Sequence, residues 1–273
     1  MDTTKKYIDL EKIIKEGDSE FLKKLPVFIV KLIKRVIWQK ELNEILARNE
    51  STIGVDFLFK MVEEFKINIE IEGLENLPEN GKCFFAANHP LGVIDGLVLT
   101  TTVAKKYGNF KAIANDAFLF IPQLRPLVAA VSVFGRSSRQ YIAALDEVYQ
   151  SEIPITHFPA GLVSRRFEGK VQDSAWQKSF ISKSIASKRD IVPFYFYNKN
   201  SRLFYSIYTV RKFLGLKLNL ELALLPHEAF LKRNKTIKVK IGKPISYQTF
   251  DKSLSHNEWA QNVRNQVYAL GEN

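Results

Sequence analysis

His89 and Asp95 are the residues whose types best suit acid–base chemistry in this chain. An imidazole beside a carboxylate works as a general base, the carboxylate fixing its tautomer and stabilising its charged form. The two lie in the stretch Asn88-His89-Pro90-Leu91-Gly92-Val93-Ile94-Asp95-Gly96, with five residues between them. Spacing alone leaves a second reading open, a turn histidine and an acid in the first turn of a helix.

Other chemistries find little support. Cys83 is the single cysteine, so there is neither a disulfide framework nor a Cys-rich metal site. The four histidines are far apart, and none falls in a His-x-x-x-His or Glu-x-x-His pattern, so no metal is expected. No Gly-x-Ser-x-Gly elbow and no phosphate-binding Gly loop occurs.

The elements that must position the pair follow from the apolar pattern. Cys83-Phe84-Phe85-Ala86-Ala87 is a short apolar run, which predicts a buried strand. A turn with Pro90 and Gly92 follows, and then Leu97, Val98 and Val103 at helical spacing. His89 and Asp95 therefore fall between a strand end and a helix start. Open α/β sheets place ligands there, outside the carboxyl ends of their strands.

The rest of the chain alternates in the same way. A short polar helix is expected within residues 1–20 and a longer one over 21–46, with Pro26 tolerated in its first turn. Leu25, Phe28, Ile29, Leu32, Ile33 and Val36 form its apolar side, and Lys23, Lys24, Lys31, Lys34, Arg35 and Lys40 its basic side. Such a helix lies in a membrane interface or packs on its own domain. Residues 53–65 predict another helix, and Ile67, Ile69 and Ile71 alternate with polar residues as a half-buried strand. Further strands are expected at 110–114, 127–134, 154–158, 190–197 and 236–241, and helices at 140–150, 174–187 and 256–270. Pro193 marks an edge, a bulge or an end of its strand. Residues 202–225 do not resolve into helix or strand. Strands alternating with helices give an α/β fold, a mixed sheet flanked by helices. Residues 1–65 form an N-terminal helical segment and 66–273 the main domain.

Composition bounds the partners. The net charge is +11, distributed as −3 over residues 1–80, +7 over 81–200 and +7 over 201–273. A basic second half suits an anionic partner: phospholipid, an acidic carrier or nucleic acid. No nucleic-acid module accompanies the charge, which places that partner last. The first twenty residues lack the apolar centre of a signal peptide, and no run of about 18 uncharged apolar residues would span a bilayer. A cytoplasmic protein is expected.

Five blocks, taken in order, carry a resemblance. They are Asn88 to Gly96, Val133-Phe134-Gly135-Arg136-Ser137, Phe158-Pro159-Ala160-Gly161, Ile191-Val192-Pro193-Phe194 and Gly242-Lys243-Pro244-Ile245. Together they resemble the lysophospholipid (glycerolipid) acyltransferase family over residues 66–250. The Asn-His-Pro-Leu-Gly run and the segment from Phe158 to Arg166 are similar to a bacterial hemolysin-like branch, which includes O-acyltransferases of glycine and ornithine amino lipids.

The resemblance implies a glycerolipid-acyltransferase-like fold and transfer of an acyl group from a thioester to the hydroxyl of a lysolipid. His89 would be the base and Asp95 its orienting partner, with no covalent acyl-enzyme. Asn88, Gly92, Arg136, Phe158, Pro159, Gly161, Ser164, Arg165, Arg166 and Pro193 would form the substrate site. Arg136 would meet the acceptor head group, and Gly161 or its turn would offer backbone donors to the oxyanion. No cofactor is implied. The donor would be acyl-CoA or acyl carrier protein, and the enzyme would sit peripherally on the cytoplasmic face of the inner membrane.

Two departures bear on the acceptor. The family usually has four residues between His and Asp. Its third block usually reads Phe-Pro-Glu-Gly-Thr-Arg-Ser, whereas Ala160 and Val163 stand here at the Glu and Arg positions. Losing that Arg argues against a phosphate monoester and for a mono-acylated amino-acid lipid. The rivals are a lysophosphatidate acyltransferase, a thioesterase and a non-enzymatic membrane-binding protein.

Overall fold

The computed structural model describes residues 7–16, 23–131, 139–167, 169–215 and 219–272. The Arg136 block falls outside them. The described residues begin with the helices α1 (Leu10–Glu16), α2 (Val27–Val36), α3 (Gln39–Arg48) and α4 (Val55–Phe65). Strands and helices then alternate through β1 (Asn68–Glu72), β2 (Cys83–Ala87), α5 (Val93–Tyr107), β3 (Lys111–Asn115), β4 (Val128–Val131), α6 (Arg139–Gln150) and β5 (Ile155–His157). A small hairpin, β6 (Arg165–Phe167) and β7 (Lys170–Gln172), leads to α7 (Ser179–Ser187), β8 (Asp190–Phe196), α8 (Arg202–Phe213), α9 (Leu225–Leu231), β9 (Thr236–Ile241) and α10 (His256–Ala269).

Seven strands make one sheet in the order β1-β9-β8-β2-β5-β3-β4. All neighbours are parallel except β8 and β9. Strand β2 is central and buried along its whole length, as its uninterrupted apolar run requires of a strand covered on both faces. Phe85 and Ala87 face one core with α4 and α5, while Phe84 and Ala86 face the other with α7 and α10. Because β8 and β9 run oppositely, the carboxyl ends of β2, β5 and β8 share an edge of the sheet with the amino ends of β1 and β9.

Helix α5 is buried nearly all round. Its three consecutive threonines are accommodated because the hydroxyls of Thr100, Thr101 and Thr102 donate to carbonyls one turn back, at 2.8, 2.8 and 2.7 Å. Pro193 sits inside β8 at a bulge. Phe194 opposes Ile241 while Ile191 opposes Ile245, so three steps on β8 face four on the other chain. The missing N–H therefore falls where the ladder already slips.

One expectation is corrected, and one open segment takes a definite form. The helix expected over 21–46 is two, broken where Trp38 takes a left-handed backbone (φ 54°). Its indole stacks on Phe230 at 4.8 Å, and its Nε1 donates to His227 Nδ1 at 3.1 Å. Docking on α9 stabilises what propensity would not choose. The undecided 202–225 region holds α8 and a 3₁₀ turn at Leu220–Leu224. Helices α3 and α4 share the sheet's own core through Ile45, Leu46, Phe57, Leu58 and Phe65. Among the described residues no helix is long and apolar enough to cross a membrane.

Candidate active site

The chain leaves β2 at Ala87 and reaches the first turn of α5 through a tight loop. Gly92 holds that loop at φ 78°, and a Cβ there would lie 2.7 Å from Leu225 Cδ2. This turn takes up the additional residue between His89 and Asp95. His89 Nδ1 lies 3.0 Å from Asp95 Oδ1. Asp95 is wholly buried, and its oxygens also accept the N–H groups of Leu91 at 2.8 Å and Gly96 at 2.9 Å. Two backbone donors and the adjacent imidazole fix the carboxylate in one orientation.

A carboxylate 3.0 Å from Nδ1 favours the tautomer with its proton on that nitrogen, which leaves the lone pair on Nε2. Phe158, just past the end of β5, stacks on the imidazole with centroids 3.9 Å apart and planes 22° from parallel. Phe158 and Asp95 thus hold the ring plane between them.

The loop backbone is braced by Asp173, which the sequence did not single out, and by Ser164, expected in the substrate site. Asp173 Oδ1 accepts the His89 N–H at 3.1 Å and the Ser164 hydroxyl at 2.5 Å. Its Oδ2 accepts Trp176 Nε1 at 2.9 Å, and the Ser164 N–H donates to the His89 carbonyl at 2.7 Å. Burial pushes the Asp173 carboxyl above its usual range, while bonds from Ser164, Trp176 and the His89 N–H draw it back. An acid in a loop 84 residues from His89 carries no pattern that marks it.

Other expected site residues take different positions. The Asn88 amide exchanges two hydrogen bonds with the Phe196 backbone, at 2.7 and 3.0 Å, clamping β2 to the end of β8. The Gly161 N–H donates to the Phe158 carbonyl at 2.9 Å, closing the turn after β5 around buried Pro159 and Ala160. Pro193 packs against Gly242. Val163 is buried among Phe204, Tyr205 and Leu224. Arg165 is also buried: its Nη2 lies 3.0 Å from Glu221 Oε1, and Arg211 Nε lies 2.9 Å from the other oxygen. Burial lowers the Arg165 pKa, with Glu221 opposing that shift. Arg166 instead points outward. It lines a cleft of about 420 Å³, together with Asn88, Pro90, Ser164, Lys170 and Lys199, behind the His89 loop.

Cys83 lies at the opposite end of β2 from His89, and burial pushes its thiol up to about 12. Thiolate, the nucleophilic form, is absent at neutral pH. Cys83→Ala should keep full acyl transfer in a steady-state assay. Loss of turnover in a folded Cys83→Ala protein would instead point to a covalent thioester route.

An imidazole held beside a buried carboxylate, at the carboxyl end of the central strand, is an arrangement that suits general-base chemistry on a hydroxyl. The family described as Acyltransferase matches residues 12–273, and this chain belongs to it. It is an acyltransferase. Among its relatives, a lyso-glycine lipid O-acyltransferase of Phocaeicola vulgatus is 42% identical over 264 residues, covering 96% of this chain and 95% of that protein. A second lyso-glycine lipid O-acyltransferase, from Bacteroides thetaiotaomicron, is 39% identical over 264 residues, covering 96% and 97%. The crystal structure of the 1-acyl-sn-glycerophosphate (LPA) acyltransferase PlsC from Thermotoga maritima aligns with 90% of this chain and 92% of its own, at 15% identity and a TM-score of 0.48.

Proposed function

We propose that this enzyme moves a fatty acyl group from a thioester to the hydroxyl of a lyso-glycine lipid, or a closely similar mono-acylated amino-acid lipid. The observation that carries this reading is the 42% and 39% identity, nearly end to end, to two lyso-glycine lipid O-acyltransferases. Site chemistry supports it. Val163 offers no donor where a phosphate-binding arginine would be expected, and Arg165 is committed to Glu221. A phosphate monoester therefore loses its bidentate partner in this block. A single carboxylate needs one guanidinium, and Arg166 or Arg136 supplies it.

The reaction is one displacement. His89 Nε2 takes the acceptor's hydroxyl proton as the oxygen attacks the thioester carbonyl. The C–O ester bond forms, the C–S bond breaks, and the imidazolium returns the proton to the departing thiolate. Asp95 stabilises the imidazolium throughout. The donor is acyl-CoA or acyl carrier protein. The enzyme works peripherally, on the cytoplasmic face of the inner membrane where a lipid acceptor resides, and α2 provides one contact with that surface.

A competition assay tests the acceptor. Purified protein is given lysophosphatidate and a lyso-glycine lipid at equal concentration with one acyl donor. The amino-acid lipid should dominate the product by at least about tenfold, the factor corresponding to one lost charged hydrogen bond. A wide excess of phosphatidate would overturn the assignment.

A further inference from the structure

Helix α8 bears an apolar face on which nothing packs among the described residues. Leu203, Val210, Phe213 and Leu214 are all exposed, Phe213 at 89%. Positions 203, 210 and 214 recur on one side of a helix, with 213 beside 210. The other side is pinned down by buried Phe204 and Tyr205 and by Arg211 on Glu221. Single exposed apolar residues are ordinary, but several on one face make a patch that calls for a partner.

Charge indicates which partner. No Asp or Glu occurs between Asp190 and Glu221, a segment that carries five Lys or Arg. Exposed Arg202 and Lys212 flank the apolar residues. A second copy of this chain would bring like charges together across a two-fold axis, which is repulsive. Apolar side chains ringed by cations instead match the head-group and acyl boundary of an anionic bilayer.

Position adds a further reason. Val36, the last residue of α2, packs against the same cluster as Phe204 and Ile207. Helix α2 exposes Val27 and Phe28, at 70% and 68%, with Lys31 and Arg35 beside them. The cluster also contains Val163, next to the Ser164 that bonds the His89 carbonyl. Both exposed faces therefore start from the catalytic edge of the sheet.

We propose that α8 is a membrane-contacting element in its own right, its Phe213 end entering the interface of an anionic bilayer. The inference rests on the reading that the acceptor is a bilayer lipid. The test uses the full chain with vesicles of phosphatidylcholine alone or mixed with phosphatidylglycerol. Phe213→Ser should weaken partition to the mixed vesicles about tenfold, the factor for withdrawing one aromatic side chain from an apolar phase. Phe213→Trp should shift its emission to the blue on the same vesicles. Turnover on a detergent-dispersed short-chain acceptor should not change, since Phe213 is 89% exposed and lies at the far end of α8 from Phe204 and Val163. If Phe213→Ser binds like the parent while Lys31→Glu with Arg35→Glu does not, α2 alone holds the membrane and the proposal fails. If the parent binds neither vesicle, the membrane reading itself fails. If the parent runs as a dimer that Phe213→Glu dissociates, the face is an interface between copies and the proposal is overturned.

Discussion

His89→Ala should reduce acyl transfer by about 10²–10⁴-fold, the usual cost of removing a general base. The fold should survive, because the imidazole packs on Phe158 but its backbone bonds, to Asp173 and from Ser164, do not depend on it. Asp95→Asn should lose most of the activity by a different route. An amide in that place presents a donor to Nδ1 or turns away from it, so the tautomer that leaves Nε2 free is no longer favoured. It should also cost stability, since Asp95 accepts two backbone N–H groups in a fully buried setting. Single-turnover rates for each variant, with melting curves alongside, separate these effects. Undiminished turnover in a well-folded His89→Ala protein would remove the base assignment and leave the Asp95 contact as architecture.

Glu221→Gln should be the most destabilising single change outside the apolar cores. The parent buries Arg165, Glu221 and Arg211 together, two cations about one anion. Phe204 and Tyr208 rings lie 5.1 and 5.4 Å from the Arg165 guanidinium and add cation–π attraction. Removing the anion leaves two guanidinium groups in a dry site, and breaking a buried pair costs about 3–5 kcal/mol. For a chain of this size that lowers the melting temperature by roughly 10 °C. Calorimetry would show it directly. Acceptor KM, taken at a temperature where the variant is folded, should not move if Arg165 is a brace. A raised KM with an unchanged melting temperature would return Arg165 to the substrate site.

The two predictions differ in how much of each was legible from sequence. The dyad could be read because its residues lie within one strand–turn–helix, where short-range pattern is informative. The half-buried strand at Ile67, Ile69 and Ile71 and the strand at Thr236–Ile241 could be read for the same reason, their period being two. Asp173 and Glu221 could not. Glu221 meets Arg165 across 56 residues, and nothing local distinguishes it from a solvated acid. The break at Trp38 depends on Phe230 and His227, far along the chain. Strands β6 and β7 have three residues each, too short for alternation to register. Charged and polar residues that meet only after folding are where periodicity is silent, and here Asp173 holds the His89 loop.

The antiparallel pairing of β8 with β9 has a consequence for the order in which the molecule is assembled. Strand β1 has its partner in β9, with Asn68 facing Thr236, a separation of 168 residues. A growing chain extrudes α2 and β1 early but lacks the strand that receives β1 until nearly all of it has been made. Long loop closure of this kind is slow and comes late in folding. The basic helix α2 is late as well, because its Val36 packs with Phe204 and Ile207 of α8, made after the strands from β2 to β5. A ribosome paused within α8 or α9 would hold α3 and α4 beside the early-made α5 they pack on, while Val36 and Trp38 still lacked the residues of α8 and α9 that receive them.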